Sequence, residues 1–101
     1  MYKVIVIGCG PSGMMAAIKA AEKYDKVGIL EHKSKPGLKL LATGGGKCNL
    51  TNTLDNDQFI KDFGRNGKFM SDALRIFDSS ALREFFAEMN VPTDTMDGKH
   101  V

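Results

Sequence analysis

The pattern of apolar and polar positions divides the chain into a first part with alternating element types and a second part that is mainly helical. Residues 4–7 form an unbroken run of β-branched apolar residues, which predicts a short strand covered on both faces. Residues 11–24 follow a helical spacing with an apolar stripe on one side, and residues 26–31 again read as a short strand. Residues 3–31 therefore predict a β-α-β unit with parallel strands and a right-handed crossover.

Between residues 32 and 56 the periodicity stops, and a stretch of this length without a clear element is usually functional or disordered. Helical spacing then returns in three segments. Their apolar positions are Phe59, Ile60 and Phe63; Met70, Ala73, Leu74 and Phe77; and Leu82, Phe85, Phe86 and Met89. Asp78 or Ser79 is placed to cap the third of these helices. Residues 93–101 read as the beginning of a β-hairpin.

Composition limits the chain to one small globular domain and excludes several classes of function. The chain has 101 residues, of which 43% are hydrophobic and 26% charged, with a net charge of +2. A charge this small, on scattered lysines, argues against a nucleic-acid partner. No apolar run is long enough for a membrane helix. The two cysteines do not make a disulfide framework, so a reduced, cytoplasmic setting is expected.

A glycine-rich turn joins the first predicted strand to the first predicted helix. Gly8, Gly10 and Gly13 are spaced as G-x-G-x-x-G. In such turns the first glycine allows a sharp bend, the second lets a pyrophosphate approach the backbone, and the third lets helix and strand pack closely. Pro11 suits the first turn of a helix, where no N–H partner is needed. The segment is therefore interpreted as a phosphate site at a helix N-terminus.

An acidic residue completes this pattern at the end of the second predicted strand. Glu31 lies 18 residues after Gly13, close to the offset of about 20 residues that is usual for a carboxylate that binds ribose hydroxyls. A carboxylate there favours a 2′-hydroxyl over a 2′-phosphate, so FAD or NAD is expected rather than NADP. The alternative is a glycine-rich turn and a surface glutamate that coincide by chance.

A second glycine-rich segment lies in the non-periodic stretch, with the sequence K-L-L-A-T-G-G-G-K-C-N-L-T-N over residues 39–52. Its three adjacent glycines allow backbone N–H groups to turn toward an anion or a flat ring. A Walker A phosphate loop is excluded, because Leu41 stands where that motif needs glycine and Cys48 where it needs serine or threonine. A flexible surface loop remains the alternative.

Together, the residues G-C-G-P-S-G at 8–13, Glu31 and the segment P-G-L-K-L-L-A-T-G-G-G-K-C-N-L-T-N at 36–52 carry a family resemblance. Over nearly its whole length the chain resembles the bacterial NAD(P)/FAD-dependent oxidoreductases called the aminoacetone oxidase family, relatives of the bile-acid reductases. The resemblance implies a Rossmann-type FAD/NAD(P)-binding α/β fold. Residues 1–101 would be the N-terminal, incomplete part of an FAD-binding domain, with FAD held non-covalently.

The same resemblance implies the cofactor contacts. The pyrophosphate would be surrounded by Gly8, Gly10, Pro11, Ser12 and Gly13. The adenosine ribose would lie at Glu31. From its place beside Glu31, His32 is expected to border the adenine site or solvent rather than to act as a base. The ribityl chain and flavin ring would lie along Lys39, Thr43, Gly44, Gly45, Gly46, Lys47, Cys48 and Asn49. Lys47 replaces the arginine that is usual in the family, which keeps the charge but loses the planar fork.

Family members are several times longer, and their second FAD-binding segment and substrate domain have no counterpart in these 101 residues. The chain is therefore expected to be an N-terminal fragment or a truncated product. A doubly wound sheet needs more strands than the two that the pattern shows. Alone, the chain is expected to bind FAD weakly, if at all, and to be inactive.

Two classes of function follow. The first is the FAD-binding portion of a flavin-dependent oxidoreductase, with NAD(P)H as a candidate electron donor and hydride transfer as its chemistry. The second is a non-catalytic nucleotide-binding module. A classical NAD dehydrogenase leaves the second glycine-rich segment unexplained. Cys48 has no C-x-x-C partner and is interpreted as a packing residue. No catalytic residue, metal site, substrate or oligomeric state is predicted.

Overall fold

A computed structural model describes residues 1–43 and 45–101 in full, and Gly44 only as the first residue of a short turn. The chain divides into two compact units, residues 1–48 and residues 49–101. Each unit is described by itself. In the part of the chain that is described, no helix is both long and apolar enough to cross a bilayer.

Unit 1 contains two parallel strands joined by a helix, which confirms the predicted α/β unit. Strand β1 (Val4–Ile7) pairs with β2 (Val27–Leu30), with Val4 opposite Val27 and Ile7 opposite Leu30. Helix α1 (Pro11–Ala21) connects them. The helix ends three residues before the predicted limit at Tyr24, because the N–H of Lys23 bonds to Ala20 O at 3.0 Å and tightens the last turn.

Helix α1 covers only one face of the two-stranded sheet. A methyl group built on Gly13 would lie 3.6 Å from Val6 Cγ1, so Val6 faces the helix. The alternate residues Ile5 and Ile7 are 51% and 86% exposed, as expected for side chains on the opposite face of a pleated strand. The prediction that this strand is covered on both faces is therefore wrong for these residues, since unit 1 supplies a helical layer on one side.

The stretch without periodicity contains two very short elements. Helix α2 (Leu38–Leu41) begins after Gly37, whose φ of 66° lies in the left-handed region. A 3-10 turn follows at Gly44–Gly46. Neither was predicted, because four residues are too few to show a period of 3.6.

Unit 2 contains three short helices, at the places that the apolar spacing predicts. They are α3 (Asn56–Asp62), α4 (Ser71–Ile76), which follows a 3-10 turn at Gly67–Met70, and α5 (Ser79–Glu88). The predicted cap is confirmed at Asp78, whose carboxylate accepts the Ala81 N–H at 2.9 Å. Asp55 caps α3 in the same way through Gln58 N at 2.8 Å. These side chains satisfy backbone donors that a helix N-terminus otherwise leaves free.

The apolar stripes of these helices supply only part of the buried centre of unit 2, together with the last residue of the chain. Leu74 is 5% exposed and Val101 is 8% exposed. The ring of Phe85 lies edge-on to that of Phe77, with centroids 6.2 Å apart, and to that of Phe86 at 5.4 Å. Such edge-to-face pairs add to the stabilisation that comes from apolar burial. Phe85 and Phe86 are half-buried, whereas Phe77 is 40% and Phe63 57% exposed, so the aromatic stripes are only partly buried in this unit.

The predicted hairpin over residues 93–101 does not form. Instead, the last residues pair with a segment about fifty positions earlier: Asn52 and His100 form an antiparallel bridge, and Thr51 and Val101 exchange N–H···O bonds of 3.0 and 3.1 Å. The Asp97 carboxylate accepts the N–H groups of Lys99 and His100, which folds residues 97–100 into a tight turn. The Met96 N–H donates to His100 O at 3.1 Å across this turn, but residues 93–96 form no strand, so the hairpin is not formed as predicted.

Candidate functional site

In unit 1 the turn after β1 brings strand and helix into close contact. Gly8 has a φ of 93°, a conformation that residues with a Cβ rarely adopt, and its N–H donates to Leu30 O at 2.7 Å. A methyl group on Gly13 would lie only 2.0 Å from Gly8 O. Both positions therefore need glycine: Gly8 because of the bend in the backbone, and Gly13 because α1 approaches the turn so closely.

The N-terminus of α1 presents free backbone donors beside open space. Its N-cap residue Gly10 has no side chain to cap the helix, and the first turn holds no acidic residue. The Met14 N–H bonds to Gly10 O at 2.9 Å, but no described residue accepts the N–H groups of Ser12 and Gly13. A methyl group on Gly10 would meet nothing within 4 Å. Free donors, the helix dipole and room for close approach together suit a phosphate group.

Glu31 is fixed at this turn by hydrogen bonds. Its Oε2 accepts the Cys9 N–H at 2.8 Å, and its Oε1 accepts the Lys33 N–H at 2.9 Å. The side chain is 21% exposed, and the exposed ring of His32 lies 3.2 Å from Oε1. The structure therefore brings the predicted acid to the first glycine turn. This happens because the ends of β1 and β2 are adjacent in the parallel register.

The N–H groups of Lys33 and Cys9 hold the pKa of the Glu31 carboxyl below its ordinary value, because they bond to the ionised form. Burial opposes this shift, and the nearby His32 adds to it. In the unfolded chain Glu31 has its ordinary pKa. The ionised carboxylate therefore stabilises unit 1 above that ordinary pKa, and this stabilisation is lost as the pH falls through the lowered value.

We expect Glu31→Gln to flatten the acid dependence of unit 1. In the wild type, the free energy of unfolding should fall between pH 6 and acidic pH because Glu31 takes up a proton on unfolding. The variant has no carboxyl to titrate, so its pH profile should be shallower. Urea unfolding followed at the amides of β1 measures this. The same profile in both proteins would contradict the assignment.

Gly37 connects the second glycine-rich segment to the first turn. Its N–H donates to Cys9 O at 2.9 Å, and a methyl group on it would lie 3.0 Å from Met14 Cε. Gly37 and Cys9 are both buried. The role of Gly37 was missed from the sequence, although the dipeptide Pro36-Gly37 is a turn signal that could have indicated it.

The predicted flavin-side residues lie in and around the short turn that follows α2. Gly45 and Gly46 have φ values of 53° and 89°, which favour glycine. The hydroxyl of Thr43 donates to Leu40 O at 2.8 Å. The side chains of this group are exposed: Lys39, Thr43, Lys47 and Cys48. No hydrogen bond between described residues joins them to the first turn, so their cofactor contacts stay predictions.

Two further residues that were predicted to contact the cofactor cannot be described as part of unit 1. Gly44 lies outside the residues that are described in full, and Asn49 is the first residue of unit 2. Among the described residues no cluster of His, Cys, Asp or Glu could hold a metal ion. Cys9 is buried, whereas Cys48 is exposed, so the interpretation of Cys48 as a packing residue has no support in unit 1; both are free thiols.

Fold and site together define a Rossmann-type domain with the turn and acid of a dinucleotide-binding protein. The chain belongs to the family described as HI0933-like protein Rossmann domain, whose profile matches residues 2–101. The resemblance found in the sequence is thereby confirmed.

Three named relatives show what the chain is similar to. The 3-dehydro-bile acid delta(4,6)-reductase of Clostridium scindens is 39% identical over 101 aligned residues, which cover 97% of this chain and 24% of the reductase. The ribosomal RNA dihydrouridine synthase of Escherichia coli is 39% identical over 50% of this chain and 13% of its own length. The enzyme of the same name from Haemophilus influenzae is 40% identical over 48% and 12%. The chain thus spans about a quarter or less of these relatives.

Proposed function

We propose that this chain is the FAD-binding portion of a flavin-dependent oxidoreductase. The observation that carries the proposal is the junction of the free α1 N-terminus with the Glu31 carboxylate, which is held 2.8 Å from Cys9 N at the same turn. Membership of a Rossmann family, together with similarity to a protein named as a reductase, supports an oxidoreductase. FAD, rather than another dinucleotide, is the proposed ligand because a second glycine-rich segment follows.

The adenosine and pyrophosphate half would be bound by unit 1. The N–H groups of Ser12 and Gly13 would donate to the pyrophosphate, and the absence of a side chain at Gly10 would let it approach. Glu31 Oε2 accepts only the Cys9 N–H among the described residues and so has a second lone pair for a ribose hydroxyl, whereas Oε1 already contacts the Lys33 N–H and His32 Nδ1. Since Glu31 is held ionised, it would repel a 2′-phosphate.

The flavin half would be bound by the second glycine-rich segment. The backbone turn at Gly45 and Gly46, with the cation of Lys47 beside it, would place positive charge and N–H donors near the ring. Bound flavin supplies the hydride chemistry, with a nicotinamide or an organic substrate as its partner. We propose that Lys47, or a backbone N–H of residues 44–46, stabilises negative charge on the reduced ring.

The substrate stays open in this proposal. The named relatives act, by their names, on a bile acid and on ribosomal RNA. This chain spans too little of either to carry those substrates over. Our proposals that the partner is a small molecule rather than a nucleic acid, and that the setting is cytoplasmic, rest on the small net charge of +2 and the two free thiols.

Binding experiments on the purified chain test the proposal. The fluorescence of FAD should be quenched when the protein is added, and ADP should compete with FAD for the site. Both affinities should be weak, because only part of the relatives' length is present. In a longer polypeptide that carries this segment, we expect a flavin spectrum that bleaches with reduced nicotinamide. A colourless longer polypeptide that binds ADP alone would favour the non-catalytic nucleotide module, and a longer polypeptide that binds neither ligand would overturn the proposal.

A further inference from the structure

Unit 2 carries an open groove that is lined by none of the residues of the proposed dinucleotide site. Its volume is about 690 Å³, and it runs along α5 opposite the segments around residues 53 and 92. We refer to it as the Arg83 groove and define it by Arg83, Glu84, Ser80, Leu54, Ala87 and Pro92. One basic and one acidic side chain share this groove with an apolar wall.

Arg83 is held in place but is not neutralised. Its Nε–H donates to Thr93 Oγ1 at 3.0 Å, and the residue is half-buried. This bond fixes the plane of the guanidinium through one of its five N–H groups. No carboxylate of the described residues lies within 4 Å of Arg83, and none of them accepts a hydrogen bond from its two terminal nitrogens. Arg83 therefore keeps a free two-pronged donor for an oxyanion.

The other polar groups of the groove are mostly in use. The Ser79 hydroxyl accepts from Thr51 and donates to Asn52 O, and the Thr53 hydroxyl donates to Gly98 O at 2.9 Å. Ser80 is exposed at the wall, and its hydroxyl has no partner among the described residues. Arg83 and Ser80 are thus among the donors that a ligand can reach, together with the side-chain amide of Asn52, while Leu54, Ala87 and Pro92 offer an apolar surface.

We propose that the Arg83 groove binds a small organic monoanion, a carboxylate with an apolar body. Its two oxygens would accept the terminal N–H groups of Arg83, and its apolar part would cover Ala87 and Pro92. Glu84 restricts the charge of the ligand. It lies in the same groove and forms no ion pair with Arg83, so it repels a dianion such as a phosphate monoester more strongly than a monoanion.

Benzoate is the probe, with its neutral isostere benzamide as the control ligand. Titration of isotope-labelled protein should give saturable shifts at the amides of Ser80, Ala87 and Thr93 with benzoate and none with benzamide. Phenyl phosphate should bind more weakly than benzoate. Residues 8–13 do not line the groove, so benzoate shifts are expected at the groove amides and not at the amides of the first glycine turn, which separates this site from the proposed function.

Two neighbouring substitutions should act in opposite directions. Arg83→Gln removes the charged fork and should weaken benzoate binding about tenfold or more. Glu84→Gln removes a repelling charge and should tighten it by about two- to threefold. Arg83→Lys should fall between wild type and Arg83→Gln, because it keeps the charge without the fork. Circular dichroism of each variant verifies the fold.

The opposite signs keep the proposal testable if one variant is destabilised, since partial unfolding would weaken binding in both variants. Equal binding of benzoate and benzamide would overturn the proposal, as would the absence of saturation in the wild type. A well-folded Arg83→Gln variant with unchanged affinity, or weaker binding in Glu84→Gln, would also overturn it.

Discussion

Replacing Gly13 with alanine is expected to lower the free energy of unfolding of unit 1 by about 3 kcal/mol, at the upper end of what overpacking normally costs. The reason is that the new methyl carbon would lie 2.0 Å from Gly8 O and 3.0 Å from Gly8 C. Both are backbone atoms of a turn bonded to the end of β2, so a side-chain rotation cannot relieve the clash. Urea unfolding followed at the amides of β1 measures the loss, and the amides of α5 report unit 2 separately.

Gly10→Ala is the matched control. It makes the same change three residues earlier, but the new methyl group meets nothing within 4 Å and the φ of −84° suits alanine. Alanine is a poorer N-cap residue than glycine, while it also reduces the entropy of the unfolded chain, so the two effects largely offset each other. Equal destabilisation by both substitutions would contradict the close packing of Gly13 on Gly8.

The same Gly10→Ala variant is expected to lose at least about tenfold in affinity for ADP and FAD. The space next to Gly10 is where we place the pyrophosphate, and a methyl group there would force it away from the free N–H groups of Ser12 and Gly13. A misfit of about 1.4 kcal/mol suffices for a tenfold loss, which is within the usual cost of overpacking. Competition of ADP with a fluorescent nucleotide measures the affinity.

Two comparisons separate a loss of affinity from a loss of stability in this experiment. Because Gly10→Ala should leave the unfolding of unit 1 nearly unchanged, its affinity loss can be attributed to the site rather than to the fold. Lys3→Gln, a charge change at the opposite end of β1, should keep the wild-type affinity. An unchanged affinity in Gly10→Ala would mean that the pyrophosphate does not approach this glycine.

The parts of the fold that the sequence predicted correctly depend on local signals. Residues 4–7 are a run of β-branched residues, which favours a strand whatever the rest of the chain does. The Asp78 side chain caps α5 through a hydrogen bond to Ala81, only three residues away. The meeting of Glu31 with the first turn could be predicted as well. Parallel pairing of two strands joined by one helix places their carboxyl ends side by side, whatever the rest of the chain does.

The failed predictions depend on contacts between distant residues. Residues 93–101 have the alternation of a hairpin, but the Asp97 carboxylate closes a turn at 97–100, and His100 then bridges to Asn52. No local pattern marks that pairing. The prediction that both faces of β1 are covered failed for a related reason. The hydrophobicity of Ile5 and Ile7 indicates that their face of the strand suits burial, but it does not say which residues cover that face.

In the candidate site, too, the residues marked by a local pattern were predicted and those that depend on distant contacts were missed. Gly8, Gly10 and Gly13 were found from their spacing. The structure gives a physical reason for Gly8 and Gly13, whereas the need for glycine at position 10 depends on the proposed ligand. Gly37 was not singled out, because its importance comes from a bond to Cys9 O and from contact with Met14, twenty or more residues away. For Lys39 and Lys47 the structure shows exposed side chains near a turn that requires glycine, and their roles depend on the ligand.

Residues 8–13 and residues 45–48 of unit 1 are proposed to bind one dinucleotide, and a comparison of ADP with FAD tests this most directly. With isotope-labelled protein, ADP should shift the amides of residues 8–13 and of Glu31 and leave residues 45–48 unchanged. FAD should shift both groups with one common dissociation constant, a result that weak binding does not prevent. Shifts at residues 8–13 alone with FAD, or two different dissociation constants for the two segments, would contradict the account.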